Sequence, residues 1–418
     1  MAAVSPHRSS ALAPVVQARR LPHPYRAMLA ICSDLDETPS FETYLEQMRF
    51  LNTTDATSAG VGVGLEVGNS MYFDMPPGQF SYWNTTEQGR AALRALMRSG
   101  HIDCLHSFGD LARSRTAAQR SWRELDEHGC RFKVWVDHAV AATNFGADIM
   151  CGHGDELGHP AYHADLAVEH GIRYVWRGRV TSVIGQDGPA RLGKTFQARH
   201  PLASARTVAK EFAKRTLAGV GSRKYALHAA NAILQPAHLR DGQPVWEFLR
   251  CNPHWGGVSA GDTGVGIAEV LTDHFLDALV EREGAGVLYT HLGKLGPAPP
   301  AAFGPGAVEA FRRLADYARA GKILVTTTAR LLDFMCARNS VQVDAEYHGD
   351  ELCILLRAKS SDRSPALDGL TFYFDTAGSV SMSLNDEPVR DFVRNAPDHT
   401  GRPSVSLPWV PLKFPALP

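Results

Sequence analysis

The chain has 418 residues, 44% hydrophobic and 21% charged, the balance of an ordinary folded protein with room for two domains. Its formal net charge of -1 excludes a general attraction to nucleic acid or to anionic membranes. Seven cysteines, odd in number and without a Cys-x-x-Cys pair, read as reduced thiols of a cytoplasmic protein, and no apolar stretch approaches the roughly 20 residues of a membrane span.

Residues 1–22 carry Arg8, Arg19 and Arg20 but no apolar signal core, and read as a flexible arm. Strand-like and helix-like runs then alternate over 23–338. Strands are expected at 27–32 and 60–67, with a helix at 41–52 between them. At 86–99, Ala92, Leu93, Leu96 and Met97 fall at helical spacing, with Thr86 at the cap and Gly100 at the end. Strands at 101–106, 132–136 and 172–176 alternate with helices at 117–128 and 159–170. A helix at 270–282 precedes a strand at 286–289, and a helix at 307–320 precedes one at 322–326. This repeated order predicts parallel strands covered by helices, closed or nearly closed into a barrel.

Residues 180–260 break the rhythm and read as a long insertion, a lid or substrate wall. From 339 to 418 the spacing becomes that of hairpins. One pairs 341–347 with 352–356 around His348-Gly349-Asp350-Glu351, and another pairs 370–374 with 379–384. A small all-β domain with an extended proline-rich tail is expected there.

Four apolar runs end on metal-ligand residue types: Cys32-Ser33-Asp34-Leu35-Asp36, Cys104-Leu105-His106, Val136-Asp137-His138 and Tyr289-Thr290-His291. The carboxyl ends of parallel strands are where chemistry collects, so these runs predict one site built from distant parts of the chain. Asp34 and Asp36 share a face by strand alternation, and two such acids repel unless a cation or a shared proton intervenes. His106 and Asp110 stand four apart, as on one side of a helical turn, and can hold one metal. A second metal candidate is His153, Asp155, His159 and His163, whose last two residues are four apart on the expected helix. Gly261-Asp262-Thr263-Gly264-Val265-Gly266 reads as a turn loop, since the Rossmann and P-loop patterns are both incomplete. No Gly-x-Ser-x-Gly elbow is present, which argues against a serine hydrolase.

In their order along 25–335, these motifs resemble the polysaccharide deacetylase family (carbohydrate esterase family 4). Cys32-Ser33-Asp34-Leu35-Asp36 is similar to its first motif, T-F-D-D, with a Leu between the acids. His106-Ser107-Phe108-Gly109-Asp110 is similar to H-S/T-x-x-H, with Asp in place of the second His. The Arg and Pro of the third motif are absent, and Val136-Asp137-His138 through Asn144-Phe145-Gly146 stands there. His291 resembles the His of the last motif. The resemblance implies an irregular (β/α)7 barrel that removes N-acetyl groups from sugars with a divalent cation, most simply zinc. It assigns Asp36, His106 and Asp110 to the metal, Asp34 to the base and His291 to the acid, with His138 as a further ligand or an oxyanion donor. Which of Asp34 and Asp36 meets the metal stays open.

The expected function is therefore metal-dependent hydrolysis of an N-acetyl or N-formyl group on an amino sugar. The substrate would be a nucleotide-linked or lipid-linked precursor of a surface polysaccharide, met by Asn144, Trp176, Arg177 and Trp255. Trp83 and Trp135 are further stacking candidates. A non-catalytic carbohydrate-binding protein and a metal-independent glycosidase are the alternatives, and a homo-oligomer is left open. No nucleic acid and no membrane span are expected.

Overall fold

The computed structural model describes residues 16–297, 299–300, 302–358, 367–375 and 378–417. The chain divides into two compact units. One comprises Tyr25–Leu332 with 411–418, and the other the described residues up to Pro24 with Asp333–Val410.

The larger unit is built on a curled, mostly parallel sheet. Its strands follow the spatial order Leu234–His238, Pro244–Phe248, Tyr174–Trp176, Val134–Val136, Cys104–His106, Gly68–Met71, Ala27–Ser33, Ala285–Thr290, Arg250–Cys251, Val180–Thr181; Ile323–Thr326 also pairs with Ala27–Ser33. All seven residues of Ala27–Ser33 are buried, as a parallel strand covered on both faces must be. Helices Asp273–Glu281 and Pro305–Arg319 pack Phe275, Leu276, Phe311 and Leu314 into one core cluster with Leu29 and Ile31. A second cluster joins Leu93 and Leu96 of helix Glu87–Arg98 to Trp122 of Arg115–Glu127 and to Trp135. Helix starts follow from capping: the Ser40, Thr86, Ser114 and Thr272 hydroxyls each accept the backbone N–H three residues on.

Register places the strand ends side by side. Ser33 pairs with Asn69 and Thr290, Ser70 with Cys104, and Val136 with His106 and Trp176. Asp34, His106, His138 and His291 all follow or finish strands at that one edge.

Several expectations change. Residues 60–67 do not form a sheet strand. Gly60–Val61 makes a two-residue ribbon with Ala56–Thr57, and the sheet strand is Gly68–Met71. The alternating glycines suit a turn, and at Gly62 a side chain would collide with the Thr53 carbonyl. Residues 180–260 are not a wall added to the sheet. Val180–Thr181, Leu234–His238, Pro244–Phe248 and Arg250–Cys251 are strands of it, and the helix Pro201–Gly219 lies between them in sequence. The expected helix at 159–170 is only Ala164–His170, because Pro160 and the turns around it delay the start.

The smaller unit has two four-stranded sheets. The first expected hairpin is present: Val341–His348 pairs antiparallel with Glu351–Ala358 across Gly349 and Asp350. The second is not. Val380–Leu384 lies parallel to Leu352–Leu356, whereas Thr371–Tyr373 pairs with Ser404–Ser406 and with Gln17–Ala18. Residues 16–22 of the expected arm are thus held by a strand and by the buried Arg19, which bonds Tyr373 and Asp398. Residues 1–15 of that arm lie outside the described residues. The end of the expected tail, 411–417, belongs to the larger unit, where the Leu412 N–H donates to Glu66.

Candidate functional site

Asp34 follows the strand Ala27–Ser33 and is buried. Arg250 binds it end on, Nη1 to Oδ2 at 2.7 Å and Nη2 to Oδ1 at 2.9 Å, and the Ser70 hydroxyl donates to Oδ1 at 2.8 Å. Burial alone would raise its pKa. Arg250 and then His106 outweigh that and hold Asp34 well below the usual carboxylate range. Arg250 is itself fully buried, with its guanidinium 4.2 Å from the Trp176 ring and 5.4 Å from that of Tyr289.

Asp36 lies in the turn after the strand, so strand alternation does not govern it. It stands between two histidines: His138 Nδ1 is 3.4 Å from Oδ1, and His291 Nε2 is 3.6 Å from Oδ2. His106, on the neighbouring strand Cys104–His106, brings Nε2 to 3.2 Å from His138 Nδ1. Burial lowers the His106 pKa to about 4, against the pull of Asp34, so at neutral pH its imidazole is uncharged. The Tyr72 ring packs against both, 5.7 Å from His106 and 5.5 Å from His138.

His138 owes its place to a tightly bonded loop. The Asn144 side chain accepts from the His138 N–H and donates to the His138 and Ala139 carbonyls. Asp137 accepts from the Phe145 and Gly146 N–H groups and from the Trp135 indole. His138 Nε2 faces Asp110 Oδ1 at 3.3 Å. Its two ring nitrogens thus each face a carboxylate, Nε2 that of Asp110 and Nδ1 that of Asp36; with Nε2–H donated to Asp110, Nδ1 is the atom that a cation beside Asp36 and His106 would meet.

His291 stands opposite. Its Nδ1 is 3.3 Å from Asp262 Oδ2, and its main-chain N–H donates to the Asp262 carbonyl. Burial lowers its pKa, but the Asp262 bond and the Asp34 and Asp36 charges reverse this, and the net shift is upward.

Among the described residues, two groups of side chains are close enough to hold a cation: Asp36 with His106 and His138, and Asp34 with Asp36 and His291. The first fits. Zinc bonds of about 2.0–2.1 Å at tetrahedral angles set donors about 3.3 Å apart. The observed separations are 3.2 Å between the two imidazoles and 3.4 Å from His138 to Asp36. The second group is weaker, since Arg250 closes both oxygens of Asp34.

The sequence-predicted residues therefore sort unevenly. Asp34, Asp36, His106, His138 and His291 come together. Asp110 does not ligate as an i,i+4 partner of His106. Ser107 and Gly109 have positive φ, so no helical turn forms, and Asp110 backs His138 instead. Each expected substrate residue is engaged within the protein, although the buried Arg177 Nε has no hydrogen-bond partner among the described residues. Asn144 is buried in the His138 loop, Trp176 lies under Arg250 and bonds the Arg179 carbonyl, Arg177 pairs with Glu247 at 2.7 Å, and Trp255 stacks on His200 at 3.8 Å. Trp135 is buried, and Trp83 carries Arg120 over its ring. The second His cluster does not converge. His163 is buried on the Thr143 carbonyl, Asp155 holds Arg240, and His153 and His159 stack on each other.

Arg250, Asp262 and Ser70 were missed. An Arg inside the apolar run Phe248-Leu249-Arg250-Cys251 was a readable signal, hidden by treating 180–260 as an insertion. Asp262 lies in the glycine loop Gly261-Asp262-Thr263-Gly264, whose local pattern signals only a turn.

No family model, no curated protein and no solved structure matches this chain.

Proposed function

We propose that the protein is a metal-dependent hydrolase that removes an N-acyl group, acetyl or formyl, from an amino sugar. The observation that carries this reading is one end of the sheet holding two dissimilar groups of side chains. Asp36, His106 and His138 form a two-histidine and carboxylate donor set, and beside it stand an Arg-locked Asp34 and an Asp-backed His291. A divalent cation held by Asp36, His106 and His138 would polarise the amide carbonyl and acidify a water.

This chain's own residues do the rest. Asp34 is kept ionised by Arg250, but Arg250 closes both of its oxygens and Ser70 bonds one of them. It therefore fixes negative charge at the site and is not the base the motif resemblance made it. His291, held by Asp262, accepts the proton from the attacking water. The water oxygen bonds to the acyl carbon as the carbon–nitrogen bond breaks. His291 then delivers that proton to the departing nitrogen, leaving a free amine and a carboxylic acid.

The glycosidase alternative requires Asp34 and Asp36 as a free carboxyl pair, and both oxygens of Asp34 are taken up by Arg250. The reading is tested by incubating the metal-loaded protein with a panel of N-acetylated and N-formylated sugar nucleotides and measuring released acid. Metal retained with no acid released from any of them supports the carbohydrate-binding alternative.

A further inference from the structure

The helix Pro201–Gly219 is turned inside out. Its buried face is polar: Ser204, Thr207 and Glu211 point inward. Those residues fix its rotation, for Thr207 donates to the Trp255 carbonyl at 2.8 Å, and Glu211 accepts from the Thr181 hydroxyl at 2.7 Å and the Ser182 N–H at 3.1 Å. The outward face carries Leu202, Ala205, Ala209, Phe212, Thr216 and Val220, spaced by three and four, which is one helical stripe. Leu202 is 87% exposed, Phe212 63% and Val220 76%. Burying these side chains by rolling the helix would break the inward bonds.

Charge decides what covers the stripe. From Phe196 to Tyr225 there are seven Lys and Arg residues and a single acid, the buried Glu211. Arg206 and Lys210 flank the stripe, are exposed, and make no hydrogen bond or ion pair among the described residues. The whole chain's net charge of -1 averages this local excess away.

We infer that the outward face of Pro201–Gly219 docks on an anionic lipid surface. An exposed apolar stripe rimmed by cations lies in the bilayer interface, with apolar side chains among the acyl chains and basic ones among the headgroups. Among the described residues no helix is long and apolar enough to cross a membrane, and this one would lie along the surface. Nucleic acid would use the cations but leave Leu202 and Phe212 unused.

The test is flotation of the full chain with vesicles of phosphatidylcholine alone and of phosphatidylcholine mixed with phosphatidylglycerol, alongside its oligomeric state. Wild type is expected to float with the mixed vesicles only, and less so as salt rises. Arg206→Gln with Lys210→Gln should weaken binding by about fivefold for each charge removed. Phe212→Glu should abolish it while leaving circular dichroism and size unchanged. Absence of wild-type binding to the mixed vesicles, or equal binding by all variants, overturns the inference. So does a dimer that Phe212→Glu dissociates in protein that binds no vesicles, which gives the face to a second copy. If Phe212→Glu does not fold, the charge variant decides alone.

Discussion

Arg250 reaches Asp34 across 216 residues of sequence and closes both oxygens of its carboxylate. Both side chains are buried, so neither charge has water to fall back on. Removing one partner leaves the other uncompensated, which costs about 3–5 kcal/mol. Arg250→Met should therefore destabilise strongly in urea unfolding, and Asp34→Asn with Arg250→Met should destabilise less than the two single changes summed. Additive losses would show that the pair is not coupled. Arg250→Lys should not restore the two-pronged geometry, because an ammonium cannot fork.

Metal content separates the two His clusters. His106→Ala and His138→Ala should each empty the site, whereas His159→Ala should leave it full. Asp110→Asn should weaken zinc affinity about 10–100-fold, the usual effect of removing the group that orients a ligating histidine. An unchanged affinity in Asp110→Asn would mean that His138 does not need its carboxylate. Direct titration of metal-free protein measures all four.

His291 and Asp262 are assigned to proton transfer and not to the metal. His291→Ala should keep its zinc and lose roughly 10²–10⁴ in turnover. Asp262→Asn should lose less, since the imidazole remains, and should also keep its metal. Loss of zinc in His291→Ala would make it a ligand and favour the grouping of Asp34, Asp36 and His291.

Stability should fall with acid through His163. Burial lowers its folded pKa to about 4, below the ordinary value near 6.5. The unfolded chain therefore binds a proton that the folded chain refuses. The stability this group contributes is complete above about pH 6.5 and is lost as pH falls toward about 4. The loss between about pH 7 and about pH 5 is on the order of 2 kcal/mol. Asp103 acts in the opposite sense, because burial raises its pKa to about 7 and its contribution is lost as pH rises. The comparison that isolates His163 is the slope of unfolding free energy against pH in His163→Gln, which should be shallower than wild type over that window.

The order of strands and helices was legible because fully buried runs such as Ala27–Ser33 and capped amphipathic helices such as Glu87–Arg98 carry local signals. Strand-end Asp and His residues were legible for the same reason. Partners across the sheet were not. Asp110 looked like a ligand by spacing, but spacing is silent on Ser107 and Gly109, whose positive φ turns the chain away from a helix. Arg250 and Asp262 act only where Cys251 pairs with Leu288 and where Thr263 bridges to His291, contacts that no local pattern encodes. The parallel pairing of Val380–Leu384 with Leu352–Leu356 likewise joins segments that read as arms of two different hairpins.

The central claim is a cation at Asp36, His106 and His138 that makes acyl release possible. It is tested most directly by assaying acid release from N-acylated amino sugars with metal-free protein before and after adding zinc, for wild type and His138→Ala in parallel. The account predicts release by wild type only after zinc is restored, and none by His138→Ala under either condition. Release that is indifferent to chelation, or that survives in His138→Ala, would contradict it.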